Sequence, residues 1–266
     1  MLLRLPEPYD FEVSTARFRV FGRDSANLWH EGALHRVVGG REVRIAAAAG
    51  GVDVEPLDHE TRAVVLKLLG AEFELEPFRA WADGRPVLRE LVPRLAGFRP
   101  PLAPDPFESL VTSITAQQIS LVAALAIRTR LVEAFGLRAE NAHAFPTRGR
   151  IAAASEGELI ALGFSRRKAE YVVGLARSDL DVEALAPLDD DEVRARITAV
   201  RGLGPWTAEW FLARHLARPR AWPAGDLALR KAAAVLYGLD VNELGRSLDP
   251  FQNLSAHYLL TGMRTP

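Results

Sequence analysis

The sequence predicts an α+β protein: a small N-terminal antiparallel β-sheet domain followed by an all-α region of two helical lobes. Three observations carry this. Residues 9–55 hold short apolar and β-branched runs punctuated by glycine pairs, the spelling of hairpins. From Asp58 onward the apolar spacing changes to three and four residues, the helical period. Acidic or hydroxyl residues then stand repeatedly just before those periodic runs, where helix N-caps belong. The division predicted is 1–96, a sheet domain with flanking helices, and 97–266, helical.

In chain order, Phe18-Arg-Val-Phe21 and Ala33-Leu-His-Arg-Val-Val38 are predicted strands, and Gly39-Gly40 turns the chain into Glu42-Val-Arg-Ile45. Gly50-Gly51 before Val52-Asp-Val54 predicts a further turn and strand. His59–Leu69 places Val64, Val65, Leu68 and Leu69 on one helical face, and Arg85–Leu95 is a second helix. The proline-rich stretch 97–106 suits a connection between lobes.

Beyond it, Phe107–Phe135 carries two helical patterns. A helix starts at Pro146-Thr147 and runs through Ala154. Ser155 with Glu158 three residues on spells a capping box, Gly163 ends that helix and Ser165 caps the next. Asp189-Asp-Asp-Glu opens another helix with acids, which favour the positive end of the dipole. Helices are also predicted over 205–218, with proline at the first position, over 227–237, ended by Gly238, and over 251–260.

Composition narrows the class. The chain has 266 residues, 48% hydrophobic and 25% charged, with net charge −1, an ordinary globular balance. The charge is even along the chain: residues 1–96 hold 13 Lys+Arg against 15 Asp+Glu, and the remainder 20 against 19. A polyanionic partner would have to be held by a local patch or by backbone amides, because there is no bulk positive field. With no cysteine, disulfides, thiolate chemistry and cysteine-ligated metals are excluded. No run approaches the roughly 18 apolar residues that span a membrane, so no membrane partner is expected. The N-terminus lacks the basic and apolar regions of a secretory signal, and the cytoplasm is the expected location. The six histidines show no paired ligand spacing on a helix, and His215 and His257 are expected at the surface or in the core.

Two features carry chemistry: Val200-Arg-Gly-Leu-Gly-Pro-Trp-Thr-Ala208, and Asp226, the first carboxylate after Glu209. A dinucleotide cradle is excluded, since Gly202-x-Gly204 follows a helical segment rather than a strand, and Thr207 stands in place of the third glycine. An αα-hairpin with permissive glycines accounts for the stretch. So does a helix-hairpin-helix, in which Gly202 and Gly204 let backbone amides approach a phosphate at a helix N-terminus. Asp226, directly before a helical run, is spelled as an N-cap.

The hairpin taken together with Pro223-Ala-Gly-Asp226-Leu-Ala-Leu-Arg-Lys231 resembles the helix-hairpin-helix DNA glycosylases with a Gly/Pro-rich loop and an aspartate. The similarity is greatest to the DNA-3-methyladenine glycosylase II type. Asp105-Pro-Phe-Glu-Ser-Leu-Val111, Ala116-Gln-Gln-Ile-Ser120, Phe145-Pro-Thr147 and Leu162-Gly-Phe-Ser-Arg-Arg-Lys-Ala-Glu170 extend it, and Pro8-Tyr-Asp10 resembles the start of that type's sheet domain. It is strong over 97–240 and weaker over 1–96.

The resemblance implies a base-excision repair enzyme acting on alkylated bases, cationic purines included, in duplex DNA, as a monomer located at the nucleoid; an oxidised-base glycosylase on the same fold and a helix-hairpin-helix DNA-binding protein without chemistry are the alternatives. Asp226 is then the catalytic carboxylate, stabilising positive charge on the deoxyribose and orienting water. Trp206 stands where bifunctional relatives carry a Schiff-base lysine, so the chain is expected to release base without cutting the strand. Trp206, Trp210, Leu227 and Leu260 become base-pocket residues, with stacked indoles holding a flipped base. Gly202, Gly204 and Thr207 contact the DNA backbone, and Gln117, Gln118 and Ile119 form the loop that fills the gap in the duplex. Two positions depart from the type: Gln252 replaces an expected arginine, and Leu260 an aromatic that closes the pocket. Tyr9, Phe11 and Phe18 are candidate pocket aromatics, with a core role expected for each. No cofactor or catalytic metal is implied, though the hairpin of such proteins can hold a cation through carbonyls such as those of Val200 and Leu203.

Overall fold

The computed structural model describes residues 1–264. Its first unit is a five-stranded antiparallel sheet of order β1-β5-β4-β3-β2, built from Leu2–Arg4 (β1), Leu28–His30 (β2), Ala33–Val38 (β3), Arg41–Ala48 (β4) and Gly51–Glu55 (β5). Val38 pairs with Arg41, so Gly39-Gly40 is the two-residue hairpin turn expected, with φ of +54° and +77°. Such a turn needs positive φ at both positions, which glycine adopts at no steric cost. The alternation along β4 and β5 buries Val43, Ile45, Val52 and Val54 on one face. Against it packs α3 (His59–Leu68), capped by Asp58, whose side chain accepts from Thr61 N.

One predicted strand is corrected. Phe18-Arg-Val-Phe21 lies in and just after a helix, α2 (Arg17–Val20), which follows α1 (Phe11–Thr15). Asp10 caps α1 by accepting from Val13 N at 2.9 Å. The buried residues are Phe11, Ser14, Thr15 and Phe18, spaced i, i+3, i+4, i+7, and this helical period overrides the β-forming composition of the short apolar run. β1 and β2, each three residues long, and the helices α4 (Leu75–Ala82) and α14 (Val241–Ser247) have too few residues to stand out by period alone.

The second unit is helical. It contains α4, α5 (Pro86–Arg94), α6 (Pro106–Ala116), α7 (Leu121–Phe135), α8 (Arg148–Ala153), α9 (Glu156–Ala161), α10 (Arg166–Arg177), α11 (Asp190–Thr198), α12 (Pro205–Arg214), α13 (Leu227–Tyr237), α14 and α15 (Gln252–Gly262). The expected caps form. Ser155 and Glu158 bond reciprocally, Ser165 accepts from Lys168 N, Asp189 accepts from Glu192 N, and Gly238 closes α13 with φ +66°. Helix α12 is shorter than expected: it ends at Arg214.

The hydrophobic interior falls into two main bodies, one drawn from Leu3 to Leu69 and one from Phe73 to Leu260. The stretch 97–106 is no loose connector between lobes, because Phe98 and Leu102 belong to the second core and Arg99 is buried beside them. Gly97 O accepts from Asp10 N at 2.8 Å, Arg99 N donates to Ser14 Oγ at 3.0 Å, and Phe98 O accepts from Tyr258 Oη at 3.0 Å. This segment and α1–α2 close one side of a cavity whose other side is helical.

Candidate active site

The hairpin is the loop between α11 and α12. Gly202 has φ +90°, and a Cβ there would lie 2.2 Å from the Tyr171 ring, so both backbone conformation and the approach of α10 demand glycine. Gly204 differs: it is the extended N-cap of α12, and a Cβ there would meet nothing within 4 Å. Its bareness leaves the α12 N-terminus open to an approaching group. Pro205 at the first helical position carries no N–H. Among the described residues the amides of Gly204 and Trp206 have no backbone acceptor, as expected of a helix start.

Thr207 does not share in that surface. Its side chain is 1% exposed and its amide donates to Gly204 O at 2.9 Å. One helical step past the open first turn, the residue faces the core, which corrects its expected place at the DNA surface.

Gln117, Gln118 and Ile119 follow α6 next to the hairpin. Gln117 Nε2 donates to Gly202 O at 2.9 Å, tying loop to hairpin. Gln118 is exposed, with φ +55°. Ile119 is 38% exposed, and Leu121 and Val122 continue an apolar projection at the start of α7. For a cation at the hairpin, the Val200 carbonyl already accepts from Leu203 N at 3.1 Å, and the Gly202 carbonyl is taken by Gln117. No group of three or more His, Asp or Glu suited to a metal ion occurs among the described residues.

Asp226 caps α13 as spelled. Its Oδ1 accepts from Ala228 N at 2.9 Å and Leu229 N at 3.1 Å. Its Oδ2 accepts from Trp210 Nε1 at 3.2 Å. The loop that delivers it is pinned: Glu209 of α12 accepts from Trp222 N at 2.8 Å and pairs with Arg194 at 2.6 Å, while Arg230 Nε donates to Ala224 O at 2.9 Å. Trp206 packs on the same loop, 3.4 Å from where a Gly225 Cβ would stand. One oxygen of the carboxylate is therefore held by the helix start, and the other by a cavity-wall indole.

That cavity, of about 300 Å³, is lined by Phe18 and Phe21 from α2 and the turn after it, by Trp210 and Arg214 from α12, and by His257 and Leu260 from α15. Trp210 and Leu260 line the cavity, and Asp226 reaches it only through its hydrogen bond from the Trp210 indole, without lining it. Trp206 packs on the Asp226 loop and is not part of the cavity wall. Leu227 is 78% exposed and does not line the cavity either: it is the first residue of α13 and points to solvent, which corrects its place in the pocket. Of the sheet-domain aromatics, Phe18 lines the cavity, whereas Tyr9 and Phe11 pack in the first core. Gln252 is buried and donates to Asp249 Oδ1 at 3.2 Å. His257 and His215 are both core residues.

Charged residues of the cavity were not legible as site residues. Glu108 of α6 accepts from Arg36 of β3 at 2.5 Å and from Arg128 of α7 at 2.7 Å, and Arg128 also meets Asp24 at 3.3 Å. All four are buried. Burial raises the Glu108 carboxyl, but the two guanidinium charges and their hydrogen bonds more than reverse this, holding it at about 2. Arg17, Arg214 and Arg264 line the same cavity. Only Arg214 left a signal in the sequence, standing four residues after Trp210 on one face of α12.

The family described as HhH-GPD superfamily base excision DNA repair protein matches residues 111–247. A solved structure titled 3-methyladenine DNA-glycosylase, from Archaeoglobus fulgidus, superposes with a TM-score of 0.90 at 28% identity, covering 99% of each chain. A Bacillus subtilis DNA-3-methyladenine glycosylase is 30% identical over 71% of this chain and 66% of its own length. A Mycobacterium tuberculosis protein named probable bifunctional transcriptional activator/DNA repair enzyme AlkA is 31% identical over 99% of this chain. The chain spans 57% of that relative.

Proposed function

Because the chain belongs to the HhH-GPD superfamily of base excision DNA repair proteins, we propose that it is a monofunctional DNA glycosylase that flips alkylated bases, such as 3-methyladenine and 7-methylguanine, out of duplex DNA and hydrolyses the N-glycosidic bond. The observation that carries this is Asp226, held between the α13 amides and the Nε1 of Trp210, an indole that lines a cavity of about 300 Å³. As the C1′–N bond lengthens, positive charge develops on the sugar. A carboxylate fixed by three hydrogen bonds meets that charge with little reorganisation. The bonding electron pair leaves with the base, water adds its hydroxyl to C1′, and its proton passes through Asp226 to solvent. The reactants are a nucleotide and water, so the reaction asks for no redox or group-carrying cofactor. A cation at the hairpin would serve the phosphate contact alone.

The open amides at the start of α12 would take a backbone phosphate, and Gln118 with Ile119 would fill the space left by the flipped nucleotide. Trp206 cannot form a Schiff base. Lys168 donates to Thr115 O at 2.8 Å, and neither it nor Lys231 lines the cavity. We propose further that the protein works as a monomer in the cytoplasm, at the nucleoid.

The test is release of 3-methyladenine and 7-methylguanine from alkylated duplex DNA by wild type and Asp226→Asn. Loss in the variant is expected. Equal release by both would remove Asp226 from the mechanism, and duplex binding without release by either would leave a binding protein only. A covalent adduct trapped by borohydride would favour a lyase-type, oxidised-base enzyme instead.

A further inference from the structure

The cavity holds two kinds of arginine. Arg36 and Arg128 are neutralised by Glu108 and Asp24. Arg17 of α2, Arg214 of α12 and Arg264 after α15 also line it, and among the described residues none of the three has a carboxylate partner within ion-pair distance. The Arg214 guanidinium stands 3.5 Å from the centroid of the Trp210 ring, and its Nε is buried without an acceptor. Arg264 lies over Phe21 at 4.9 Å. Burial, then the charges of Arg17 and Arg264, drives the Arg214 guanidinium well below its ordinary range, with Asp226 opposing. His257 beside them is also driven down by burial and by Arg214 and Arg17.

A base entering this cavity meets guanidinium charge that no acid contacts directly, with Asp226 and Asp24 opposing it only at longer range, and some of it lies on the face of the Trp210 indole. The charge of the base then decides the outcome. An N-alkylated purine such as 7-methylguanine is cationic before cleavage and leaves neutral, so the arginines oppose its entry. A neutral base with carbonyl oxygens accepts from guanidinium forks. When its C1′–N bond breaks, the electron pair makes it an anion, which later takes a proton from water. The arginines stabilise that developing negative charge.

We propose that Arg214, with Arg17 and Arg264, determines specificity by the charge of the leaving base. The pocket accelerates departure of neutral, carbonyl-bearing bases more than that of bases already cationic, each measured against its spontaneous rate. This rests on the glycosylase reading above and refines its substrate class.

The experiment measures single-turnover release of 7-methylguanine and of hypoxanthine, a neutral 6-oxopurine, from otherwise identical duplexes. Wild type is expected to give the larger enhancement over the uncatalysed rate for hypoxanthine. Arg214→Gln is expected to lower the ratio of hypoxanthine release to 7-methylguanine release about tenfold. Arg214→Lys, which keeps the charge, should retain the wild-type preference. Arg17→Gln, on a different element, should shift the ratio in the same direction and guards against a folding defect at α12. Equal changes in both rates, or a wild type with the greater enhancement for 7-methylguanine, would overturn the inference while leaving the glycosylase reading intact. Release of neither base by wild type, with duplex still bound, would overturn both.

Discussion

The paired and the unpaired arginines share one cavity and teach different things. Arg36 and Arg128 sit where three elements from both halves of the chain meet, and Glu108 and Asp24 satisfy them. Their charge is spent on joining β3 to α6 and α7. Arg17, Arg214 and Arg264 have aromatic rings in place of acids, which attract a cation without cancelling its field. One group is architecture, and the other leaves charge available to a ligand.

The sharpest way to break this contrast is to unpair the first group. Glu108→Gln would leave buried Arg36 with no acid and buried Arg128 with Asp24 alone, and a loss of about 3–5 kcal/mol is expected by denaturant unfolding. A loss below about 1 kcal/mol would mean that the pair has no such structural role. Next comes Asp226→Asn. Asparagine still caps a helix, so the unfolding midpoint should move little while base release falls about 100- to 1,000-fold. A parallel loss of stability would mean that the carboxylate is a cap only.

Acid sharpens the contrast in a third way. Glu108 is depressed from 4.5 to about 2, so the stability it contributes is complete above about pH 4.5 and is lost as pH falls toward 2. The wild type should therefore lose stability in that window more steeply than Glu108→Gln, as followed by thermal unfolding. The second group should respond least. Arg17→Met, which strands no acid, is expected to change stability by about 1 kcal/mol at most. A loss comparable to that of Glu108→Gln would erase the distinction. Finally, duplex binding should show a shallow salt dependence, since the open hairpin surface is built of amides rather than lysines.

Much of the site was legible because it is local. Gly202, Gly204 and Pro205 spell a hairpin within a few residues, and Asp226 caps the very next helix. Phe18 misled as a strand residue because a four-residue run with three apolar members carries no period of its own; the period appears only when Phe11, Ser14 and Thr15 are counted. Thr207 and Leu227 were assigned to surfaces by motif alone, and the direction of a side chain depends on what the helix packs against. Trp206 and Trp210 share a helical face, yet one meets the Gly225 loop and the other the cavity.

The sequence by itself determined the hairpin, the helix caps, the glycine turn of the sheet and the aspartate, because each is decided by hydrogen bonds and backbone preferences within a few residues. The tertiary structure alone decided which charges meet. Residues 17, 214 and 264 reach one cavity from three elements, and Glu108 finds Arg36 across 72 positions of chain. Electrostatic interaction depends on distance and burial, and neither is written in the spacing of residues along the chain.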